Sequence, residues 1–433
     1  MSRRVASLSL FILLIAAIAA QAQTLTVLHT FTLGPDGGFL APAPSGGITR
    51  DSGGNLYGTT NAGGITTGHC GEVGCGVVYK VSSHGVETPI YKFQGQPDGQ
   101  NPDARVIIGP DGALYGTTQQ GGSGSCSPYG CGTVFKLQPP PNFCASFECP
   151  WRETILYNFT SPPDGLYPVG DVTFDSSGNL YGTTQYGGSQ NCSRGEYSCG
   201  IVFKLTPNSN GSWSKTTIYS FQGGNNDGLE PQSPLVMDRA GNLYGTTPYG
   251  AGTGCIYGWG CGTVFELSPS GSGWTETVLH IFTGNSDGGY PYGGLIFDAS
   301  GNLYGAASYG PGEFGYGTLF ELTPQQGGGW NFSVPYTFTS QAEAPGELTI
   351  DAAGNLYGGA GGGQFGGGVL YSLTNPAGDW TFTALYSFGS GEGSQAFSPE
   401  GKVVFDSQGN IYGICTQGPY PFPDAGAVWE FTP

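Results

Sequence analysis

The sequence predicts an all-β protein, a seven-bladed β-propeller with four antiparallel strands per blade. The first observation is a Gly-Asn-Leu-Tyr-Gly signature that occurs seven times, five times unchanged, at spacings of 53 to 66 residues. A period of this length is typical of propellers and solenoids. The signature regions are residues 54–60, 112–118, 178–184, 241–247, 301–307, 354–360 and 409–415.

The second observation is the pattern of short β runs within each repeat. Between Trp274 and Leu322, alternating runs stand at 277–282, 294–298, 302–307 and 317–322, with turns rich in Gly, Asp and Asn between them. Such runs, without helical periodicity, indicate strands joined by turns. Four strands in each of seven repeats make a seven-bladed propeller.

The third observation concerns the chain ends. Residues 25–31 match the first run of the repeat, and residues 427–431 match its last run. The N-terminal strand should therefore pair with the C-terminal strand and complete the seventh blade, which leaves no exposed sheet edge. A solenoid, the alternative architecture, would not need this offset and would have polar caps at both ends.

Residues 1–22 have the pattern of a secretory signal peptide. Arg3 and Arg4 precede an apolar run at 8–20, and Ala20-Gln21-Ala22 is a small-x-small cleavage site. The apolar run is too short to favour a retained membrane anchor, and no later segment is long and apolar enough to span a bilayer. We predict a secreted or periplasmic protein in which residues 23–433 form one propeller domain.

The cysteines fit an oxidising compartment, because ten of the eleven form close pairs. The predicted disulfides are Cys70/Cys75, Cys126/Cys131, Cys144/Cys149, Cys192/Cys199 and Cys255/Cys261. Metal binding is the weaker alternative, since no Cys-x-x-Cys pair exists and only His69 lies nearby. Cys415 is left over in a predicted strand, where we expect it to be a small buried residue.

Charge narrows the classes of partner. The net charge is −18 although only 10% of residues are charged. Binding to nucleic acid or to anionic membranes depends on clustered Lys and Arg, so both partners are disfavoured. The 80 glycines fall at repeated places between apolar runs and are interpreted as turn and bulge residues.

The repeat resembles a known family. Residues 241–247 with 262–267, and 178–184 with 200–205, show the order Gly-Asn-Leu-Tyr-Gly-Thr-Thr, then a glycine-rich loop, then an apolar run ending in Lys-Leu or Glu-Leu. This order is similar to the Gloeo/Verruco tandem repeat of exported bacterial proteins, over essentially the whole mature chain. The Asp-x-x-Gly-Asn-Leu-Tyr turn also resembles that of NHL-type propellers, which implies that the run before the turn is innermost. Two loops of each repeat then share one face of the ring, namely the Asp-Gly loop before the inner strand and the Gly-rich loop after the signature strand.

The first candidate ligand-binding residues are the aspartates of the Asp-Gly loops. They are Asp36, Asp98, Asp164, Asp227 and Asp287. Carboxylates around one face could bind Ca²⁺ or sugar hydroxyls, but each loop offers only one carboxylate. Asp-Gly also forms turns for backbone reasons alone, and repeats six and seven have Ala344-Pro345 and Glu392-Gly393 instead. We favour the turn role and expect no bound cofactor, with Ca²⁺ as the alternative.

The second candidates are aromatic residues on the Gly-rich loops, which suit stacking against sugar rings. They are Tyr186, Tyr249, Tyr257, Trp259 and Tyr309. The alternative is that these rings pack over neighbouring blades and shield the disulfide loops. His29 and His280 share their register with tyrosines of the outer runs, so we interpret both as packing residues.

The sequence shows no catalytic constellation. There is no serine nucleophile elbow, His/carboxylate metal triad, phosphate loop or dinucleotide fingerprint. We therefore expect an exported, non-enzymatic propeller that binds a polysaccharide, an envelope component or a protein partner through its Gly/Tyr-rich loop face. One alternative is a carbohydrate-active hydrolase or lyase with carboxylates at the channel mouth. The other is a purely structural surface or matrix protein, because propellers host all three roles.

Overall fold

A computed structural model describes residues 23–32, 34–40, 46–126, 128–141, 150–189, 192, 199–252, 254–255, 258–310, 315–376, 378–389, 397–417 and 426–433. The predicted signal peptide therefore lies outside the described residues. The described chain forms seven antiparallel blades, each with four main strands, which confirms the predicted propeller.

Blades one to six run from the central channel outward in the order of the chain, and blade seven takes its outermost strand from the N-terminus. The innermost strands are Thr49–Arg50, Ile107–Ile108, Thr173–Phe174, Val236–Met237, Ile296–Phe297, Thr349–Ile350 and Phe397–Phe405. The second strands, which begin in the signature, are Leu56–Ala62, Leu114–Thr118, Leu180–Thr184, Leu243–Thr247, Leu303–Ala307, Leu356–Ala360 and Ile411–Gln417. The third strands are Val77–Val81, Thr133–Gln138, Ile201–Pro207, Thr263–Ser270, Thr318–Pro324, Val369–Thr374 and Ala427–Thr432. The outermost strands are Glu87–Lys92, Arg152–Asn158, Trp213–Ser220, Gly273–Ile281, Trp330–Thr337, Thr381–Ser387 and, for blade seven, Thr24–Thr30.

The ring closes as the chain ends predict. Thr24–Thr30 pairs antiparallel with Ala427–Thr432, with Val27 opposite Trp429. This pairing joins the two ends of the chain within one sheet and covers the edge that the last strand would otherwise expose.

The signature is a turn that the preceding aspartate stabilises. Asp238 Oδ1 accepts hydrogen bonds from the backbone N–H groups of Ala240 and Asn242, at 2.8 and 2.9 Å. Its Oδ2 accepts from Asn242 Nδ2 at 2.8 Å and from the Tyr244 hydroxyl at 3.1 Å. Leu243, between them, is fully buried. The Asn and Tyr of the signature thus bind the aspartate that begins the turn, and the Leu between them packs in the core.

The last glycine of the signature makes room for the core aromatic of the third strand. A Cβ at Gly245 would stand 2.6 Å from the Phe265 ring, and one at Gly182 would stand 2.7 Å from Phe203. Phe265 in turn packs edge-to-face on Phe221, which follows the outer strand of the preceding blade, with ring centroids 5.2 Å apart. Burial of such rings between blades stabilises the fold, because each removes a large apolar area from water.

A backbone hydrogen bond also joins neighbouring blades. In six blades, a residue with positive φ precedes a proline at the start of the inner strand, and we call this proline the interblade proline. In blade five this residue is Tyr290, whose N–H donates to the carbonyl of Cys261 in blade four at 2.8 Å. The other five residues are Asn101, Tyr167, Glu230, Ala344 and Ser398. Because the backbone is fixed by this contact, the side chains at these positions are held at defined places around the loop face.

Four of the five predicted disulfides are formed. They are Cys70–Cys75, Cys126–Cys131, Cys192–Cys199 and Cys255–Cys261, all in the loops between the second and third strands. Cys144 and Cys149 lie outside the described residues. Cys415 is a buried free thiol in a second strand.

Candidate ligand-binding site at the channel mouth

The Asp-Gly loops and the Gly-rich loops lie on one face of the ring, which we call the loop face. In blade two, Gly99–Gln100 pairs antiparallel with Gln120–Gly121. In blade four, Gly228–Leu229 pairs with Tyr249–Gly250 in the same way. These ladders join the two loops of a blade into one hydrogen-bonded surface.

The Asp-Gly aspartates lie at the outer part of this face, where each binds the end of the outer strand. Asp98 Oδ2 accepts from the Tyr91 hydroxyl at 3.0 Å and from the Gln94 N–H at 2.9 Å. Asp287 makes the same contacts with the His280 ring, at 3.1 Å, and with Thr283. These carboxylates thus accept hydrogen bonds that stabilise the loop. Their ligand-binding role stays a prediction.

The histidines replace tyrosines, as their register predicts. His280 pairs with Val264 in the strand ladder, as Tyr219 pairs with Val202 one blade earlier. His29 Nε2 lies 3.5 Å from Asp36, in the place that a tyrosine hydroxyl takes in other blades. Burial lowers the pKa of His29, so its main role at neutral pH is packing.

A carboxyl group on the next outer strand faces three of these aspartates. Burial first, and then the charge of the facing aspartate, raises the pKa of Glu87, Glu153 and Glu276 to about 7. At the matching position of blade three stands Lys215, whose Nζ donates to Asp164 Oδ1 at 2.6 Å. Three junctions between blades thus carry two acids each, and one carries an ion pair.

These junctions predict how stability depends on pH. Each of the three glutamates binds a proton more tightly in the folded chain, so the free energy of unfolding should fall as pH rises from about 4.5 to about 7. His29, with its lowered pKa, acts in the opposite direction, but it is one group. We expect the melting temperature to be lower at pH 8 than at pH 5.5, as measured by circular dichroism.

Glu276→Lys provides the matched test, because it copies the Lys215–Asp164 pair. This variant should melt higher than the parent at pH 8 and show a shallower pH dependence. A melting temperature that rises steadily from pH 5.5 to pH 8 in the parent would contradict the assignment.

Aromatic residues of blades four and five form a cluster on the loop face. The Tyr249 ring lies 5.7 Å from Trp259 and 5.6 Å from Tyr290, between ring centroids. Tyr290 contacts Tyr309 at 5.0 Å, and the Tyr249 and Tyr292 hydroxyls are 2.6 Å apart. The structure therefore brings together three of the aromatics singled out from sequence, Tyr249, Trp259 and Tyr309. We call Tyr249, Trp259, Tyr290, Tyr292 and Tyr309 together the tyrosine cluster.

The other two aromatics are placed differently. Tyr186 belongs to blade three and pairs with Tyr167, at 5.9 Å between ring centroids. Tyr257 lies outside the described residues. Trp259 and Tyr309 are the exposed members of the tyrosine cluster, at 41% and 38% of their surface.

Further large side chains project from the same loops. Tyr129 and Phe365, on the loops of blades two and six, are 53% and 50% exposed. The backbone beneath two of these loops is fixed: Gly121 N–H donates to the Tyr129 carbonyl at 2.7 Å, and Gly250 N–H donates to the Trp259 carbonyl at 2.8 Å. Disulfides close both loops, so the Tyr129 and Trp259 rings are presented on an ordered backbone.

The channel contains charged residues that the sequence does not reveal by their spacing. Arg105 Nε donates to Asp171 Oδ2 at 2.6 Å, and its Nη2 lies 3.8 Å from Glu347. Lys402 Nζ also lies 3.8 Å from Glu347. Arg105 and Glu347 belong to blades two and six, which are not neighbours, so they meet across the channel. Burial raises the pKa of Asp171 and the Arg105 guanidinium opposes that rise.

A cavity of about 480 Å³ opens at the channel mouth, a size typical of small-molecule sites. Blades four and five contribute Gln232, Tyr292 and Ser308 to its wall, and blade seven contributes Glu400. Tyr292 links this cavity to the tyrosine cluster. Burial raises the pKa of the Glu400 carboxyl to about 7, although a hydrogen bond with Thr416 opposes the rise. Burial also raises the pKa of Asp103 of blade two to about 6.

These channel residues occupy two positions of the repeat. The first position directly follows the interblade proline, and the second lies two or three residues after that proline. The residue type at both positions changes from blade to blade. The available signal was the appearance of charged residues where other blades have Gly, Val, Pro, Gln or Tyr; they are Asp103, Arg105, Asp171, Glu347, Glu400 and Lys402. Sequence reasoning weighed only the acids that recur evenly and missed those that do not.

The comparison with protein families agrees with the repeat pattern. A family description of the Gloeobacter/Verrucomicrobia repeat matches residues 14–257, 152–343 and 257–433. The chain belongs to this family. The overlapping matches cover all seven signatures of this Gloeobacter/Verrucomicrobia repeat protein, which confirms the resemblance. No curated protein sequence matches it.

Several solved structures are similar to this chain at low identity. One, described as a putative gluconolactonase, is 13% identical with a TM-score of 0.40, over 95% of this chain and 92% of its own. Another, from Thermus thermophilus and described as a putative oxidoreductase (glucose dehydrogenase), is 14% identical with a TM-score of 0.43, over 95% of this chain and 100% of its own. A gluconolactonase from Xanthomonas campestris is 12% identical with a TM-score of 0.36, over 64% and 74%. At these values they carry no argument about activity.

Within the ranges given above, no helix has the length and apolar character needed to cross a membrane. In the same ranges, no group of three or more His, Cys, Asp or Glu side chains is arranged to hold a metal ion.

Proposed function

We propose that this repeat protein is an exported, non-enzymatic propeller that binds a polysaccharide through its loop face. The observation that carries the proposal is the tyrosine cluster, which joins exposed rings to a cavity lined by amide, hydroxyl and carboxyl groups. Aromatic faces beside such polar groups match the two kinds of surface on a sugar ring. The disulfides and the predicted signal peptide support export.

Rigid presentation supports the same proposal. The rings of Tyr129 and Trp259 stand on a backbone that hydrogen bonds and disulfides have already ordered. A ligand that stacks on them therefore orders only the side chains, which keeps the entropic cost of binding low. The net charge of −18 selects against polyanionic polysaccharides.

Replacing the exposed rings should weaken binding without unfolding the chain. We expect Trp259→Ala and Tyr309→Ala each to raise the dissociation constant at least tenfold, the loss of about 1.4 kcal/mol or more that is typical of a central aromatic contact. The measurement begins with a glycan array and pull-downs on insoluble envelope polysaccharides, with and without Ca²⁺, followed by titration calorimetry.

Val86→Ala is the matched control, because Val86 is an exposed apolar residue in a turn on the opposite face. It should bind as the parent does. Equal binding by all three variants would overturn the loop-face assignment, and retention by no glycan would overturn the proposed ligand class in favour of a protein partner or a structural role.

A second candidate, a glycan hydrolase or lyase, is favoured by one observation. Glu400 lies in the cavity wall with a pKa raised to about 7, as a general acid at neutral pH requires. Under this alternative, incubation with the bound polysaccharide would release shorter products, and Glu400→Gln would stop their release. The binding proposal predicts no product by mass spectrometry.

A further inference from the structure

We infer that the cavity at the channel mouth is a subsite for a sugar unit that carries a free primary amino group, with the Glu400 carboxylate as its partner. This inference rests on the proposed glycan-binding function. It adds the chemical class of one unit of the ligand, and its tests separate the two.

The cavity exists because blade six lacks side chains that other blades have. Ala344 stands at the position before the interblade proline, where blades three and five have Tyr167 and Tyr290. Gly361 follows the second strand, where blades two and three have glutamine. The run from Pro345 to the next buried leucine is also one residue shorter than in blade five.

These absences make one wall of the cavity from backbone. Gly346, Gly359 and Gly361 contribute no side chain to it, so a ring can approach the main chain closely. Tyr292, Gln232 and Ser308 of blades four and five also line the cavity. We call this cavity the slot. Main chain, an aromatic ring, hydroxyl groups and an amide line it, which suits a single pyranose ring.

The charge of the slot selects the amino group. Among the described residues that line it, Glu400 is the one charged side chain. The groups near its carboxyl on the neighbouring second strand are the Thr416 hydroxyl and the buried Cys415 thiol. Lys402, on the same strand as Glu400, lies beside Glu347 in the channel.

An ammonium in the slot would give the Glu400 carboxylate an opposite charge that the described protein residues of the wall do not supply. A charge-assisted hydrogen bond in a partly buried site is stronger than one between neutral groups. A neutral hydroxyl at the same place would leave the carboxylate without that compensation. The strongly acidic chain as a whole also attracts a cationic ligand.

The test uses three hexasaccharides that differ at one substituent: β-1,4-linked glucosamine, N-acetylglucosamine and glucose. We expect the glucosamine hexamer to bind the mature chain at least tenfold more tightly than either neutral hexamer in titration calorimetry at pH 7. Glu400→Gln should abolish this preference. Glu343→Gln should keep it, because Glu343 is an exposed acid of the neighbouring loop and does not line the slot.

Ala344→Tyr tests the slot by filling it. Tyr167 and Tyr290 occupy the equivalent position with φ of 59° and 55°, close to the 46° of Ala344, so the fold accepts this side chain. The variant should melt as the parent does and lose at least tenfold in affinity for the glucosamine hexamer.

The outcomes separate the two proposals. Equal binding of all three hexamers, or an amino-sugar preference that survives Glu400→Gln, would overturn the amino-sugar subsite while leaving glycan binding intact. Binding of none of them, together with a silent polysaccharide screen, would overturn both.

Discussion

Gly262→Ala should lower the free energy of unfolding by about 4 kcal/mol, from a strained backbone and a forced clash together. Gly262 has a φ of 95°, and a Cβ added there would meet the Thr247 carbonyl and lie 2.8 Å from Pro291 Cδ of the next blade. Neither the strand backbone nor the proline ring can move away without breaking the junction between blades. Chemical denaturation followed by tryptophan fluorescence measures the change.

Gly271→Ala is the control for this prediction. Gly271 also has a positive φ, 58°, but nothing lies within 4 Å of a Cβ placed there. It should therefore cost only about 1 kcal/mol, the backbone term alone. Equal losses in the two variants would show that contact with the neighbouring blade contributes nothing.

Removal of the N-terminal strand should have the other large effect. A chain that begins at Phe31 loses the partner of Ala427–Thr432 and exposes an edge of blade seven that carries Trp429 and Phe431, both buried in the closed ring. It also loses the packing of Leu25 and Val27 against that blade. Burial of each large apolar side chain contributes about 1.5–3 kcal/mol. We therefore expect that at least blade seven no longer unfolds cooperatively with the rest of the ring.

The comparison chain begins at Gln23 and keeps the strand. A synthetic peptide of residues 23–30, added to the truncated chain, should restore part of the melting temperature, and the same peptide with Val27→Asp should not. A truncated chain that melts as cooperatively and as high as the comparison chain would contradict closure by this strand.

The scaffold could be predicted from sequence because its determinants recur. The aspartate, asparagine and tyrosine of each signature bind one another locally, so every copy reports the same turn. The offset of the chain ends predicted the closing pair, and the shared register of His280 with the outer tyrosines predicted its packing role. In each case the information lies within a few residues or in a repeated spacing.

The channel and the slot could not be predicted in the same way, because they depend on departures from the repeat. Arg105 and Glu347 are far apart in sequence and meet only after the ring has closed. The slot arises where blade six has Ala344, Gly346 and Gly361, and a missing side chain gives no positive signal. Averaging over repeats, which reveals the scaffold, hides the positions where one blade differs.

We propose that ligand binds on the loop face at the channel mouth. Hydrogen exchange with and without the retained polysaccharide tests it most directly, because amides that a ligand covers exchange more slowly. We expect added protection in residues 249–252, 258–262, 289–292, 344–346, 359–361 and 398–401, with little change in the signature turns. Protection confined to the signature turns of the opposite face, with none in these segments, would contradict it.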